Sequence, residues 1–143
     1  MNDIVIFDTS VLIDNQGTAY HSERMADCPG RIRNSSVVLA ELWRGATAAS
    51  ERRFVQALQE SRPVLAPTTN NWFDSGQILA TARDDRGFAA EKLRDLHFDV
   101  LIALTARSHG ARLITSNRAD FELIREYREF KLEVWEAARS LAR

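Results

Sequence analysis

The chain predicts an α/β fold in which strands alternate with helices around a mainly parallel sheet. Three observations carry that expectation. Asp3–Phe7 becomes a run of Ile, Val and Phe after its first residue, as a strand buried on both faces requires. Short β-branched runs of this kind alternate with longer stretches of helical character along the chain. No repeat, low-complexity tract or Gly/Ser linker interrupts the pattern, so the 143 residues read as one domain spanning 1–143.

The elements follow in order. After the first strand, Ile32–Asn34 is a short strand or loop. Ser35–Ser36 offers an N-cap for a helix through Val37–Leu39 and Leu42–Trp43, ending near Gly45. Ser50 is placed to cap a second helix carrying Phe54, Val55 and Leu58. Pro63 and Pro67 bracket a short strand over Val64–Ala66, and Asn70 or Asn71 begins a helix through Ile78–Leu79. A further helix is expected from Phe98 to His109, with Gly110 where a left-handed C-cap belongs. Ala111–Thr115 is the next strand. Phe121–Ile124 suggests a brief helix, and Leu132–Trp135 alternates like a final strand.

Composition bounds the class without choosing a function. Hydrophobic residues make up 45% and charged residues 27%, as in ordinary globular proteins. Cys28 is the single cysteine, so no intrachain disulfide and no Cys-rich zinc site is available. No signal-like N-terminus and no membrane-length apolar run occurs, which leads to the expectation of a cytoplasmic protein without a membrane partner. The net charge is −1, from 19 Lys+Arg and 20 Asp+Glu, and Lys92 and Lys131 are the only lysines. Arginine dominance suits bidentate phosphate contacts. If several acids gather around a cation, the remaining surface is net positive.

Four acids stand where chemistry is expected. Asp8 directly follows the first strand, and ligands in open α/β sheets bind beyond the carboxyl ends of strands. Helix capping explains Asp8 equally well. Glu41 lies within Val37–Trp43 among apolar neighbours, which leave it little polar face to share. Asp99 opens an apolar helix, where a first-turn carboxylate is also favourable in its own right. Asp120 follows the strand ending at Thr115, alongside Ser116 and Asn117, and its ordinary role would be a cap. The four together say more than each alone. Oxygen-only ligands suit Mg²⁺ or Mn²⁺, and without a cation crowded carboxylates repel or protonate. His21, His97 and His109 show no ligand spacing, and no Walker A, dinucleotide or nucleophile-elbow motif occurs.

Read as whole motifs, these segments resemble a known family. Ile6–Asp14 resembles the opening motif of PIN domains, and Ser36–Ala46 resembles their second. Phe98–Ala103, continuing through Gly110–Asn117 to Asp120–Phe121, is similar to the third and fourth. Order and spacing resemble the VapC toxin ribonucleases over nearly the whole chain; Arg52–Lys92 matches only in helical character. The resemblance implies a PIN-like three-layer α/β/α sandwich, dependence on Mg²⁺ or Mn²⁺, and endonucleolytic cleavage of RNA. By position, Asp8, Glu41 and Asp99 match the three core acids. The fourth charge falls to Asp120 or is missing, because Asn117 stands where relatives carry Asp or Asn. Ser10 stands where many relatives have Asn, and Ser10, Thr115 and Asn117 form a supporting set. Arg44, Arg112 and Arg118 are candidate phosphate contacts. The resemblance further implies a small antitoxin partner and a homodimer. The competing classes are a DNA nuclease or phosphatase using the same acids, a housekeeping RNase without an antitoxin, and a non-catalytic binding module.

Overall fold

The structure is a computed structural model and describes residues 3–137. Its centre is a sheet of five strands: β1 (Ile4–Phe7), β2 (Arg31–Ser35), β3 (Val64–Leu65), β4 (Arg112–Thr115) and β5 (Lys131–Val134). The order is β3-β2-β1-β4-β5 and every pairing is parallel. Helices flank the sheet as an α/β/α sandwich: α1 (Thr9–Thr18), α2 (Ser22–Ala26), α3 (Ser36–Gly45), α4 (Ala49–Ser61), α5 (Thr69–Arg86), α6 (Ala90–Ser108) and α7 (Arg118–Arg125). The chain winds outward from β1 through β2 to β3, then returns to place β4 and β5 on the other side of β1. The winding therefore reverses between β1 and β4, and such a reversal opens a crevice beyond the strand ends.

The core explains both the strand runs and the helices. Val5 and Ile6 are fully buried on β1, as are Leu113 and Ile114 on β4. Helix α6 is buried continuously from Val100 to Ala106, apolar but for Thr105, whose hydroxyl donates to the Leu101 carbonyl. Trp135, beyond β5, is buried against Phe7 with ring centroids 5.6 Å apart.

Several helix starts differ from the sequence reading. Ser35 does cap α3, its side chain accepting from the Val38 N–H at 3.3 Å. Helix α4 begins at Ala49 rather than at a Ser50 cap, because Glu51 reaches back and accepts from the Ala48 N–H at 2.9 Å. Helix α5 is capped by Thr68, which exchanges 3.0 Å hydrogen bonds with Asn71. The largest difference is α6. It starts at Ala90, eight residues before the expected start, so Asp99 sits mid-helix and is no first-turn carboxylate. The polar segment 90–97 masks this start: its apolar residues are sparse, and α6 is stabilised there by packing on α5. Helix α1 is signalled only by its Asp8 cap, and α2 is not expected from the sequence.

Candidate metal centre

The site forms where the winding reverses. Asp8 leaves β1, Thr115 ends β4 beside it, Glu41 projects from α3, and Asp99 from α6. Asp8, Glu41 and Asp99 each bring one carboxylate oxygen to within 4.8 Å of the others.

Asp8 serves two purposes at once. Its side chain caps α1, Oδ2 accepting weakly from the Ser10 N–H at 3.4 Å. The same Oδ2 accepts from the Ser10 and Thr115 hydroxyls, each at 2.8 Å. Backbone N–H groups orient those hydroxyls: Ser116 donates to Ser10 Oγ and Asn117 to Thr115 Oγ1, both at 2.9 Å. With lone pairs engaged by N–H donors, the hydroxyl protons are free to turn toward Asp8. Oδ2 is thus saturated, whereas Oδ1 is buried without any hydrogen-bond partner. An orphaned buried carboxylate oxygen is costly unless a cation or an ordered water completes it.

Glu41 is fixed from below by Thr9, whose hydroxyl donates to Oε1 at 2.7 Å. Its Oε2 lies 3.9 Å from the Arg44 guanidinium, which also stacks over the Phe98 ring at 5.3 Å. The electrostatics reflect the crowding. Burial raises the Asp8 carboxyl above its ordinary range against the hydrogen bonds from Ser10 and Thr115. Burial likewise raises Glu41, with a smaller push from Asp8. Asp99 is pushed up to about 8, first by burial and then by repulsion from Asp8, Glu41 and Asp120. Three oxygen donors that repel one another, one with an unfilled lone pair, fit a hard divalent cation.

The other sequence candidates divide into two groups. Ser10 and Thr115 position Asp8. Asn117 caps α7, accepting from the Asp120 N–H at 3.4 Å and donating from Nδ2 to Asp120 Oδ2 at 3.2 Å. Asp120 itself lies outside the trio, paired with Lys92 at 3.1 Å. Arg44 is exposed at the rim, while Arg118 is turned to Glu122 at 3.2 Å on the outer surface of α7. Arg112 is not brought to the site: it pairs with Glu133 at 3.0 Å and the Pro29 carbonyl at 3.2 Å. It sits opposite Val5, three residues before Asp8 in the strand direction, or roughly 10 Å back from the site. Two residues escape the sequence reading. Thr9 adjoins Asp8, and its place beneath Glu41 depends on how α1 packs on α3. Lys92 is visible only once α6 is extended to Ala90.

The PIN-domain family profile matches residues 5–127. The chain belongs to the PIN-domain family. This PIN domain also resembles solved structures. A chain in the DNA-bound VapBC complex from Salmonella typhimurium is 26% identical, with a TM-score of 0.71 over 94% of this chain and 99% of that one. VapBC2 from Rickettsia felis, bound to a promoter DNA fragment, contributes a chain of 25% identity, with a TM-score of 0.63 over 93% and 99%. Mycobacterium tuberculosis VapC20, a sarcin–ricin loop cleaving toxin, shares the fold at 18% identity, with a TM-score of 0.59 over 83% and 94%. No curated protein sequence matches this PIN domain.

Proposed function

We propose that the protein is a Mg²⁺- or Mn²⁺-dependent endoribonuclease and the toxin of a type II toxin–antitoxin pair. The single observation that carries the reading is the trio Asp8, Glu41 and Asp99, gathered at the crevice between β1 and β4 with one carboxylate oxygen left orphaned. Similarity to VapBC chains supports the toxin assignment. Asp8, Glu41 and Asp99 would hold the cation, which when bound acidifies water and offsets charge on a phosphoryl group. The chain's own residues prepare that chemistry. Ser10 and Thr115 pin one face of Asp8, and Thr9 fixes the rotamer of Glu41. Arg44, exposed at the rim, can turn from Glu41 to an RNA phosphate. In the hydrolysis, a water oxygen bonds to phosphorus, one P–O bond breaks, and the leaving oxygen is protonated.

A partner surface adjoins the site. Ile13, Leu42, Ala46 and Val55 line a groove between α1, α3 and α4 that opens on Glu41. An amphipathic antitoxin segment fits such a groove, and its arginine would compete with the cation for the acids. Trp72 and Phe73 are half or more exposed on α5, an apolar area suited to a homodimer contact. RNA, DNA and a phosphomonoester, assayed side by side with the purified protein, test the activity. Cleavage of RNA that requires Mg²⁺ or Mn²⁺ and ceases in EDTA is expected, and unchanged cleavage in EDTA refutes the reading. Expression alone should arrest the host and Asp8→Ala should relieve it. If a soluble, active nuclease leaves growth untouched, the toxin assignment fails and the nuclease assignment stands.

A further inference from the structure

The fourth acid of the motif set is already occupied. Asp120 Oδ1 lies 3.1 Å from Lys92 Nζ, and its Oδ2 accepts from Asn117 at 3.2 Å. Both oxygens are therefore engaged by this chain. Lys92 is well placed to persist there. It stands on α6 seven residues before Asp99, two helical turns along the same side. Its ammonium lies 6.0 Å from the Phe88 ring centroid, and its side chain remains 40% exposed, open to the solvent that a substrate would enter from. Its charge reaches the trio as well, where it opposes the repulsion that Asp8, Glu41 and Asp120 exert on Asp99. Lysine is also rare in this chain, which otherwise draws its positive charge from arginine. A compact ammonium is a point charge, closer to a metal ion in form than the planar guanidinium fork.

We infer that Lys92 takes the place of a second cation: it withholds Asp120 from the ligand set and supplies the second positive charge of a one-ion nuclease. The inference rests on the nuclease reading and deepens it. A two-ion centre uses its second ion to stabilise the leaving oxygen. Here Lys92, held by Asp120 and Phe88, offsets charge on the phosphate from that side. Asp120 and Asn117 are positioning residues for the ammonium and not ligands.

Manganese binding measured by electron paramagnetic resonance and calorimetry tests this directly. The wild-type protein should bind one Mn²⁺ per chain. Lys92→Gln should bind two, the second more weakly, and Lys92→Gln/Asp120→Asn should return to one. Asp120→Asn alone should leave the single site's affinity within about twofold, which tests the same point should Lys92→Gln fold poorly. Cleavage supplies a second readout. At Mn²⁺ levels that fill only the first site, Lys92→Gln should lose roughly a hundredfold to a thousandfold in kcat and recover as Mn²⁺ is raised. A merely structural role for Lys92 would not produce rescue by metal. One Mn²⁺ in both wild type and Lys92→Gln, two in the wild type, or a large affinity loss in Asp120→Asn overturns the inference and leaves the nuclease reading intact. No Mn²⁺ bound by the wild type overturns both.

Discussion

Two charged clusters in this protein are built in opposite ways. At the first, around β4 and β5, Glu133 accepts from Arg112 at 3.0 Å and from the Trp135 indole, and Arg24 lies 3.8 Å away while stacking on the Trp135 ring at 4.3 Å. There one carboxylate is shared by two guanidinium groups. At the second, Asp8, Glu41 and Asp99 converge with one peripheral arginine and an orphaned Oδ1. The arginine-rich sequence sets two arginines on one carboxylate at the first cluster and a single peripheral arginine beside three carboxylates at the second. An unpaired, partly buried acidic group costs stability, so its persistence marks a site where a ligand completes the charge. The arginines differ in the same way, since Arg112 holds strands together while Arg44 faces the site.

The difference should appear first in activity. Asp99→Asn should lower RNA cleavage on the order of a thousandfold, as loss of a preorganised charge stabiliser does. The same substitution should raise the thermal midpoint of the metal-free protein at pH 7.5, since the asparagine spares the proton uptake that folding imposes on Asp99. An unchanged cleavage rate, or a large loss of stability, would break the contrast.

The next effect is on stability against pH, with a slope of up to about 1.4 kcal/mol per pH unit. Between about pH 4 and 8 native Asp99 retains a proton that the unfolded chain has released. The native state then binds more protons, so stability of the metal-free protein falls as pH rises through this window. Saturating Mg²⁺ or Mn²⁺ should flatten the slope, because cation and proton compete for the same oxygens. Thermal scans from pH 5 to 8.5, with and without metal, measure both slopes; parallel curves would count against a cation site here.

The paired cluster should respond in the opposite sense. Glu133→Gln should destabilise by about 1 kcal/mol in denaturant titration, through loss of charged hydrogen bonds that are partly exposed. Smallest of all should be the catalytic effect of Arg112→Met: some loss of stability, yet cleavage by the folded fraction within about twofold of wild type. A selective loss of cleavage would restore Arg112 as a phosphate contact.

Periodicity makes the strands legible. Ile4–Phe7 carries the continuous apolar pattern of a doubly covered strand, Ala111–Thr115 is a short β-branched run after Gly110, and the Ser35 cap is a local side-chain event. Four acids stand out in the sequence because each breaks an apolar run or follows a strand, and the PIN resemblance sets Asp8, Glu41 and Asp99 apart from Asp120. Helix α6 shows the limit of such reasoning. Its first two turns lack a one-faced apolar stripe and depend on α5 for burial, so the sequence presents Asp99 as a first-turn residue and Lys92 as surface charge.

What the sequence determined by itself was the alternation of elements, and hence a parallel sheet with acids at its strand ends, because backbone propensity and burial act over short spans. What only the tertiary structure decided was pairing. Thr9 lies 32 residues from Glu41, Lys92 lies 28 from Asp120, and Arg112 lies 21 from Glu133. Which charges are neutralised and which are left for a ligand depends on how helices pack across the sheet, a long-range arrangement that no local pattern encodes.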